Sequence, residues 1–427
     1  MRQVTRRCDP SRRRFLMGAG AIAASAALPE VLFASNGSEA RFVVIILRGA
    51  LDGLAAVPPY ADPHYAGLHR DLAIPPPAGA GGALDLDGHF GLHPALAFLH
   101  ERYRAKELLV LHAVASPYRD RSHFDGQAVL ESGLTPRQGS ADGWLNRALA
   151  AMPIRNAPKT KDRALALSQN VPLILRGDQE VLSKSAQVTP DMDEDLMARL
   201  ADLYSKDDWF SARLSEAVQS EKLGQDIETP APASMAMRDA GTTPVANADN
   251  PKRQVNARIQ KSAQMAAAIM ASDGGPEIAV LEASGWDTHA NQGGAQGTLA
   301  NRLSGLDQSL RAFAGGLGPL WQRTVVMVVT EFGRTAAMNG TRGTDHGTAT
   351  CCFLVGGAIA GGRVVTQWPG LAPADLYQGR DLMPTQDLRG VYKAVLADHL
   401  AIDRGRLERT VFPDSGTIKP LSGLIKA

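Results

Sequence analysis

Hydrophobic residues along this chain come in two textures. Short runs at 41–47 (RFVVIIL), 107–114 (ELLVLHAV), 278–281 (IAVL), 325–329 (VVMVV) and 351–355 (CCFLV) are mostly apolar, with many β-branched residues. That is the pattern of strands buried on both faces of a parallel sheet. Elsewhere apolar positions recur three and four apart, predicting helices over 93–104, 124–131, 299–317 and 385–400, with another starting at 143. Weaker strand signals lie at 164–175 and 363–366, and 58–91, rich in Pro, Gly and His, reads as an irregular loop. From about 190 to 269 strand signals vanish and helical spacing prevails, broken by a Pro/Ala/Asn/Asp-rich stretch at 229–251. This segment reads as a mostly helical insertion, either a lid over the strand ends or a solvated decoration. Strands alternating with helices predict an α/β domain over 41–427, its mostly parallel central sheet lying between helices.

The first forty residues change the picture of charge and location. They hold six arginines against Asp9, Glu30 and Glu39; taking these from the 45 Lys and Arg and 44 Asp and Glu leaves 39 basic and 41 acidic side chains. No basic field remains to hold nucleic acid. Ser11-Arg12-Arg13-Arg14-Phe15-Leu16, followed by a weakly apolar stretch from 17 to 28, matches a twin-arginine export signal. Residues 1–40 are therefore expected to engage the twin-arginine translocase and to send the protein to the periplasm or outside the cell. No window is long and apolar enough for a stable membrane span. Cys8 leaves with the signal, and the adjacent Cys351 and Cys352 read as core residues, not as a disulfide or metal pair.

Candidate chemistry collects where the apolar runs stop. Open α/β sheets bind ligands at the carboxyl ends of their strands, and four runs end in groups able to ligate a metal. These are Asp52; Ser122 with His123; Asp287 with His289; and Glu331 with Asp345 and His346. Carboxylates mixed with imidazoles suit one or two divalent ions such as Zn²⁺, Mn²⁺, Ca²⁺ or Mg²⁺. In an extended Asp287-Thr288-His289 the two ligating side chains share one side. Arg121 and Arg334 are candidates for clamping the oxygens of an anionic ester. Ser122 also reads as a helix N-cap, Trp286 as a packing residue, and His64, His69, His89, His93 and His112 as loop or core histidines.

LRGALDGL, RSHFDGQ, GWLNR, GWDTH, TEFGRT and GTDHG, in this order behind a twin-arginine signal, resemble the bacterial family called domain of unknown function 1501. That family in turn resembles, more distantly, the alkaline phosphatase and sulfatase superfamily. The resemblance implies an alkaline phosphatase-like fold with two metals at the strand ends. It gives one metal to Asp287, His289 and His346, the other to Asp52 and Glu331, and the nucleophile's place to Ser122. The chain departs from the superfamily in separating Asp287 from His289 by one residue, in having Glu331-Phe332 where an Asp-His pair is usual, and in lacking the cysteine motif that sulfatases modify. The function implied is an exported metal-dependent hydrolase of phosphate or sulfate esters acting on a small anionic ester or polysaccharide. The alternative is a non-catalytic descendant that binds a cell-surface polysaccharide or a partner protein. A metal-independent serine hydrolase is disfavoured, because no serine sits in a Gly-x-Ser-x-Gly elbow.

Overall fold

The computed structural model describes residues 40–139, 141–153, 163–168, 170–184 and 251–426. The expected export signal, and residues 190–250 of the expected insertion, lie outside them. Among the described residues no helix is long and apolar enough to cross a membrane.

The apolar runs form one sheet. Its strands are β1 (Arg41–Arg48), β4 (Leu108–Ala115), β5 (Ala164–Leu167), β6 (Leu182–Lys184), β7 (Ile278–Ser284), β8 (Thr324–Thr330), β9 (Thr350–Val355), β10 (Arg363–Val365) and β11 (Gln386–Asp387). The two-residue β2 (Leu84–Asp85) and β3 (Gly91–Leu92) pair separately. The main sheet runs β10-β4-β9-β8-β1-β7-β5-β6, with β11 added beside β4. Every pairing in it is parallel except those of β9 with β4 and with β8. The sheet is thus mostly parallel and flanked by helices, as the pattern predicts.

Period-two alternation sorts each strand's residues onto the two faces. Val43, Ile45 and Leu47 of β1 face a core built with α3 (Ala97–Arg104), α6 (Pro251–Ala271) and α7 (Thr298–Leu317). Phe42, Val44 and Ile46 face the opposite core, with α5 (Trp144–Ala151) and α8 (Leu388–Asp398). Residues 251–269 of the expected insertion therefore belong to α6, a core helix.

Two local expectations are corrected. The helix predicted from 93 starts at Ala97, because His93 folds into a turn: its Nδ1 accepts from Ala95 N, and its Nε2 lies 3.1 Å from Gly294 O. The cap of α3 comes from far along the chain, where Asp307 of α7 accepts from Phe98 N (2.9 Å) and Leu99 N (3.0 Å). Buried backbone donors left without a partner cost roughly 1–3 kcal/mol, so Asp307→Ala is expected to lower unfolding stability by about that much in urea titrations. The second concerns Ser122, which holds the expected N-cap position without the expected bond. It precedes α4 (His123–Ser132), but its side chain makes no capping bond, and its backbone N donates to the Tyr118 hydroxyl (2.9 Å).

The register explains why the polar strand ends meet. Leu47 is level with Thr330, and Arg48 with Ser284, so the loops after β1, β7 and β8 leave the same edge of the sheet. β4, two strands beyond β8 and separated from it by antiparallel β9, points the same way and delivers residues 116–123 to that edge.

Candidate metal centre

At this edge the loop after β1 closes over the loop after β7. Gly49 has φ of +120°, and a Cβ there would lie 2.6 Å from Asp287 N. Only a glycine allows so close an approach in that conformation. Its N–H donates to Glu331 Oε1 (2.9 Å), fixing the start of the β8 loop as well.

Four predicted ligands converge here. His123, Asp287 and His346 each offer an atom within 4.8 Å of the others. His289 joins them, its Nε2 lying 3.0 Å from Asp287 Oδ1 and 2.9 Å from His346 Nε2. His346 Nε2 is 3.3 Å from the same Asp287 oxygen. Ligand atoms about 2.1 Å from a shared ion stand roughly 3.0–3.4 Å apart at octahedral to tetrahedral angles, which is the spacing of this triangle.

The outer nitrogens fix which inner nitrogens are free. His346 Nδ1 lies 2.9 Å from the backbone carbonyl of Arg121, which can only accept. His289 Nδ1 lies 3.1 Å from Asp345 Oδ1, and His123 Nδ1 lies 2.8 Å from Glu331 Oε1. Both carboxyls titrate below their ordinary values. For Glu331, burial pushes the other way but is outweighed by hydrogen bonds from His123, its own backbone, Gln127 and Thr330. For Asp345 the bond from Asn339 leads. They are ionised acceptors at neutral pH, so in the neutral imidazoles every Nδ1 carries the hydrogen and every Nε2 a lone pair. The lone pairs of His289 and His346 therefore face Asp287 Oδ1, and that of His123 faces Oδ2. His123 Nε2 is buried without a hydrogen-bond partner, 3.5 Å from Asp287 Oδ2. These groups could hold a cation, and imidazoles backed by carboxylates or carbonyls are the usual support of a metal site. The side chains of Asp287 and His289 remain 41% and 43% exposed, so one side of the group is open to solvent.

The other residues singled out from sequence make these contacts. Asp52 is buried beneath the group, where its Oδ1 caps α1 (Gly53–Ala56) through Ala55 N and its Oδ2 accepts from Gln292 (2.7 Å). Glu331 stands behind His123, and Asp345 behind His289. Each accepts from the ring in front of it, and no bond joins Glu331 to Asp52 among the described residues. Arg334 is not open to an ester: its side chain is fully buried and donates to Asp287 Oδ1 (2.5 Å) and to the Thr344 backbone. Arg121 turns its guanidinium to Asp381 and Gln378. Ser122 is half-buried, and it is the ring of the neighbouring His123 that reaches the group. Trp286, Cys351 and Cys352 are buried, as expected. Sequence reasoning missed Asn339, which donates to both Asp345 Oδ1 and His289 O (2.9 Å each), and Gln292 beside Asp52; neither carries a spacing signal.

Protons compete with a cation for His123. Its bond to Glu331 leads in raising its pKa above the ordinary 6.5, against the effect of burial. A protonated ring stabilises the metal-free fold below that ordinary value, and the contribution disappears as pH rises through the raised one. Metal uptake needs the neutral ring and shows the opposite trend. Affinity measured by competition with a chelator is thus expected to fall as pH drops below about 7, with proton release on binding; a flat profile from pH 6 to 8 would contradict this.

The fold and site together define an α/β protein with an imidazole–carboxylate cluster at the carboxyl edge of a mostly parallel sheet. The pattern of the family described as "Protein of unknown function (DUF1501)" matches residues 108–411, and the chain belongs to that family. No curated protein sequence matches it significantly. Similar solved structures include the phosphonate monoester hydrolase of Agrobacterium radiobacter, at 11% identity and TM-score 0.39 over 85% of this chain and 74% of that one. Another is the PsFucS1 sulfatase from Pseudoalteromonas sp., at 11% identity and TM-score 0.37 over 98% and 78% of the two chains. At these scores the likeness carries neither substrate nor mechanism to this chain.

Proposed function

We propose that this protein is an exported, metal-dependent hydrolase of phosphate or sulfate esters, using one divalent ion held by His123, Asp287, His289 and His346. The observation that carries the reading is the convergence of three imidazole lone pairs on a half-exposed carboxylate. Three nitrogens and one oxygen favour Zn²⁺ or Mn²⁺ over Ca²⁺ or Mg²⁺, which prefer oxygen alone. When bound, such an ion supplies Lewis acidity toward an ester oxygen. The chain's own groups orient that chemistry. Glu331, Asp345 and the Arg121 carbonyl hold the three rings, Arg334 holds Asp287, and Ser122, next to His123, is the candidate nucleophile. Export rests on the twin-arginine motif at 11–16.

Purified mature protein assayed with aryl phosphates and aryl sulfates should turn over only with an added divalent ion. Turnover that persists in chelator would overturn the metal dependence. Ser122→Ala with unchanged turnover would remove the serine from the reaction while leaving the metal centre standing. The second reading, a metal-holding protein that binds a polysaccharide without cleaving it, is favoured by the protein donors that already occupy Asp52 and Glu331. It predicts stoichiometric metal with no turnover on either ester class, together with retention on an anionic glycan column.

A further inference from the structure

Arg121 stands between two of the converging side chains and is conformationally unusual. Its φ is +62°, the left-handed region that a residue with a Cβ seldom occupies. In this conformation its carbonyl oxygen meets His346 Nδ1 at 2.9 Å, two residues before His123 enters α4. A left-handed residue persists where its surroundings over-determine it, and here they do so through the side chain. Arg121 Nε and NH2 lie 2.9 and 2.8 Å from Asp381 Oδ2, and NH2 donates to Gln378 Oε1 (2.7 Å).

Asp381 is a rigid anchor. It is fully buried, and its backbone is bridged to both Thr335 and Tyr377. The neighbouring Arg380 donates to the backbone oxygen of His346 (2.8 Å), so one short loop grips His346 from its main chain and, through Arg121, from its ring. A buried carboxylate needs a well-placed cation, and Arg121 supplies one whose planar fork fixes direction as well as charge.

We propose that Arg121 is a positioning residue of the metal centre: its ion pair with buried Asp381 holds a left-handed backbone that aims the Arg121 carbonyl at His346 and sets the entry of His123. This inference rests on the metal reading proposed above. It assigns the arginine to ring orientation, in place of the ester clamp expected from sequence.

The test uses Zn²⁺ alone as the probe, with dissociation constants from chelator competition and thermal midpoints as the folding control. Three variants are compared with the wild type: Arg121→Gly, which accepts the left-handed backbone but lacks the anchor; Asp381→Asn, which keeps the anchor's shape but lacks its charge; and the double variant. Loss of a group that orients a ligand typically weakens metal binding 10–100-fold. Each single variant should bind Zn²⁺ at least about 10-fold more weakly while still melting cooperatively, and the double variant no more weakly than the worse single one. A cooperatively folded single variant that binds like the wild type, or single effects that multiply in the double variant, overturns the assignment while leaving the metal reading intact. If a variant fails to fold, Arg121→Lys replaces it: a point charge without the fork should bind several-fold more weakly, and wild-type affinity overturns the assignment. A wild-type protein that takes up no Zn²⁺ overturns the metal reading, and this inference with it.

Discussion

Asp287→Ala is expected to reduce divalent-metal affinity by about 100-fold or more and to destabilise the fold at the same time. Asp287 is the one carboxylate that all three imidazoles face, so its loss removes the shared centre of the group. Replacing a group that merely orients a ligand already costs 10–100-fold, and removing a ligand outright should cost at least as much. The second effect comes from Arg334. Its guanidinium is fully buried, and Asp287 is its ion partner. Removing one partner of a buried pair typically costs roughly 3–5 kcal/mol, reduced here because Asp287 itself is 41% exposed. Asp287→Asn separates the two effects: the amide oxygen still accepts from Arg334, so most of the stability should return while metal affinity stays low. Calorimetric metal titration and urea unfolding of both variants check this. An Asp287→Ala protein with wild-type affinity would show that Asp287 is not a metal ligand.

Gly49→Ala is expected to cost about 3 kcal/mol of unfolding stability or more, combining left-handed strain with overpacking. A Cβ at this position would stand 2.6 Å from Asp287 N and 3.0 Å from Trp286 N, both backbone atoms that cannot rotate away. Relief requires moving the β1 loop, which also breaks the Gly49 N–H bond to Glu331 and with it the support of His123. Stability and metal affinity should therefore fall together. Urea unfolding showing a loss under about 1 kcal/mol would mean that the loops are looser than this packing implies.

The sheet was readable because burial on both faces leaves an unmistakable signature. The runs at 42–47, 278–281 and 325–329 are apolar at every position, and no competing pattern explains such short β-branched stretches. The weakly marked elements were harder. The start of α3 depends on a carboxylate some two hundred residues later, which no local pattern reveals. In the candidate site, all four converging residues were already in the sequence-based set, because each follows a strand that ends at one edge. Their ranking was not legible. Asp52, Glu331 and Asp345 look like ligands to a reader of composition, yet a carboxylate's role depends on which donors reach it in three dimensions. Gln292, Asn339 and the Gly49 N–H settle that, and none of them advertises itself in the chain. Arg121 and Arg334 were expected to face an anion, but buried Asp381 and half-exposed Asp287 claim them, and ion pairs between residues tens to hundreds of positions apart leave no spacing to read.

The proposed centre has three imidazoles and Asp287 sharing one cation. Anomalous diffraction from crystals grown with Zn²⁺ or Mn²⁺ tests it most directly. A single strong peak is expected about 2.0–2.2 Å from the Nε2 atoms of His123, His289 and His346 and from an Asp287 carboxylate oxygen. A peak seated between Asp52 and Glu331, or no peak near Asp287 at millimolar metal, would contradict it.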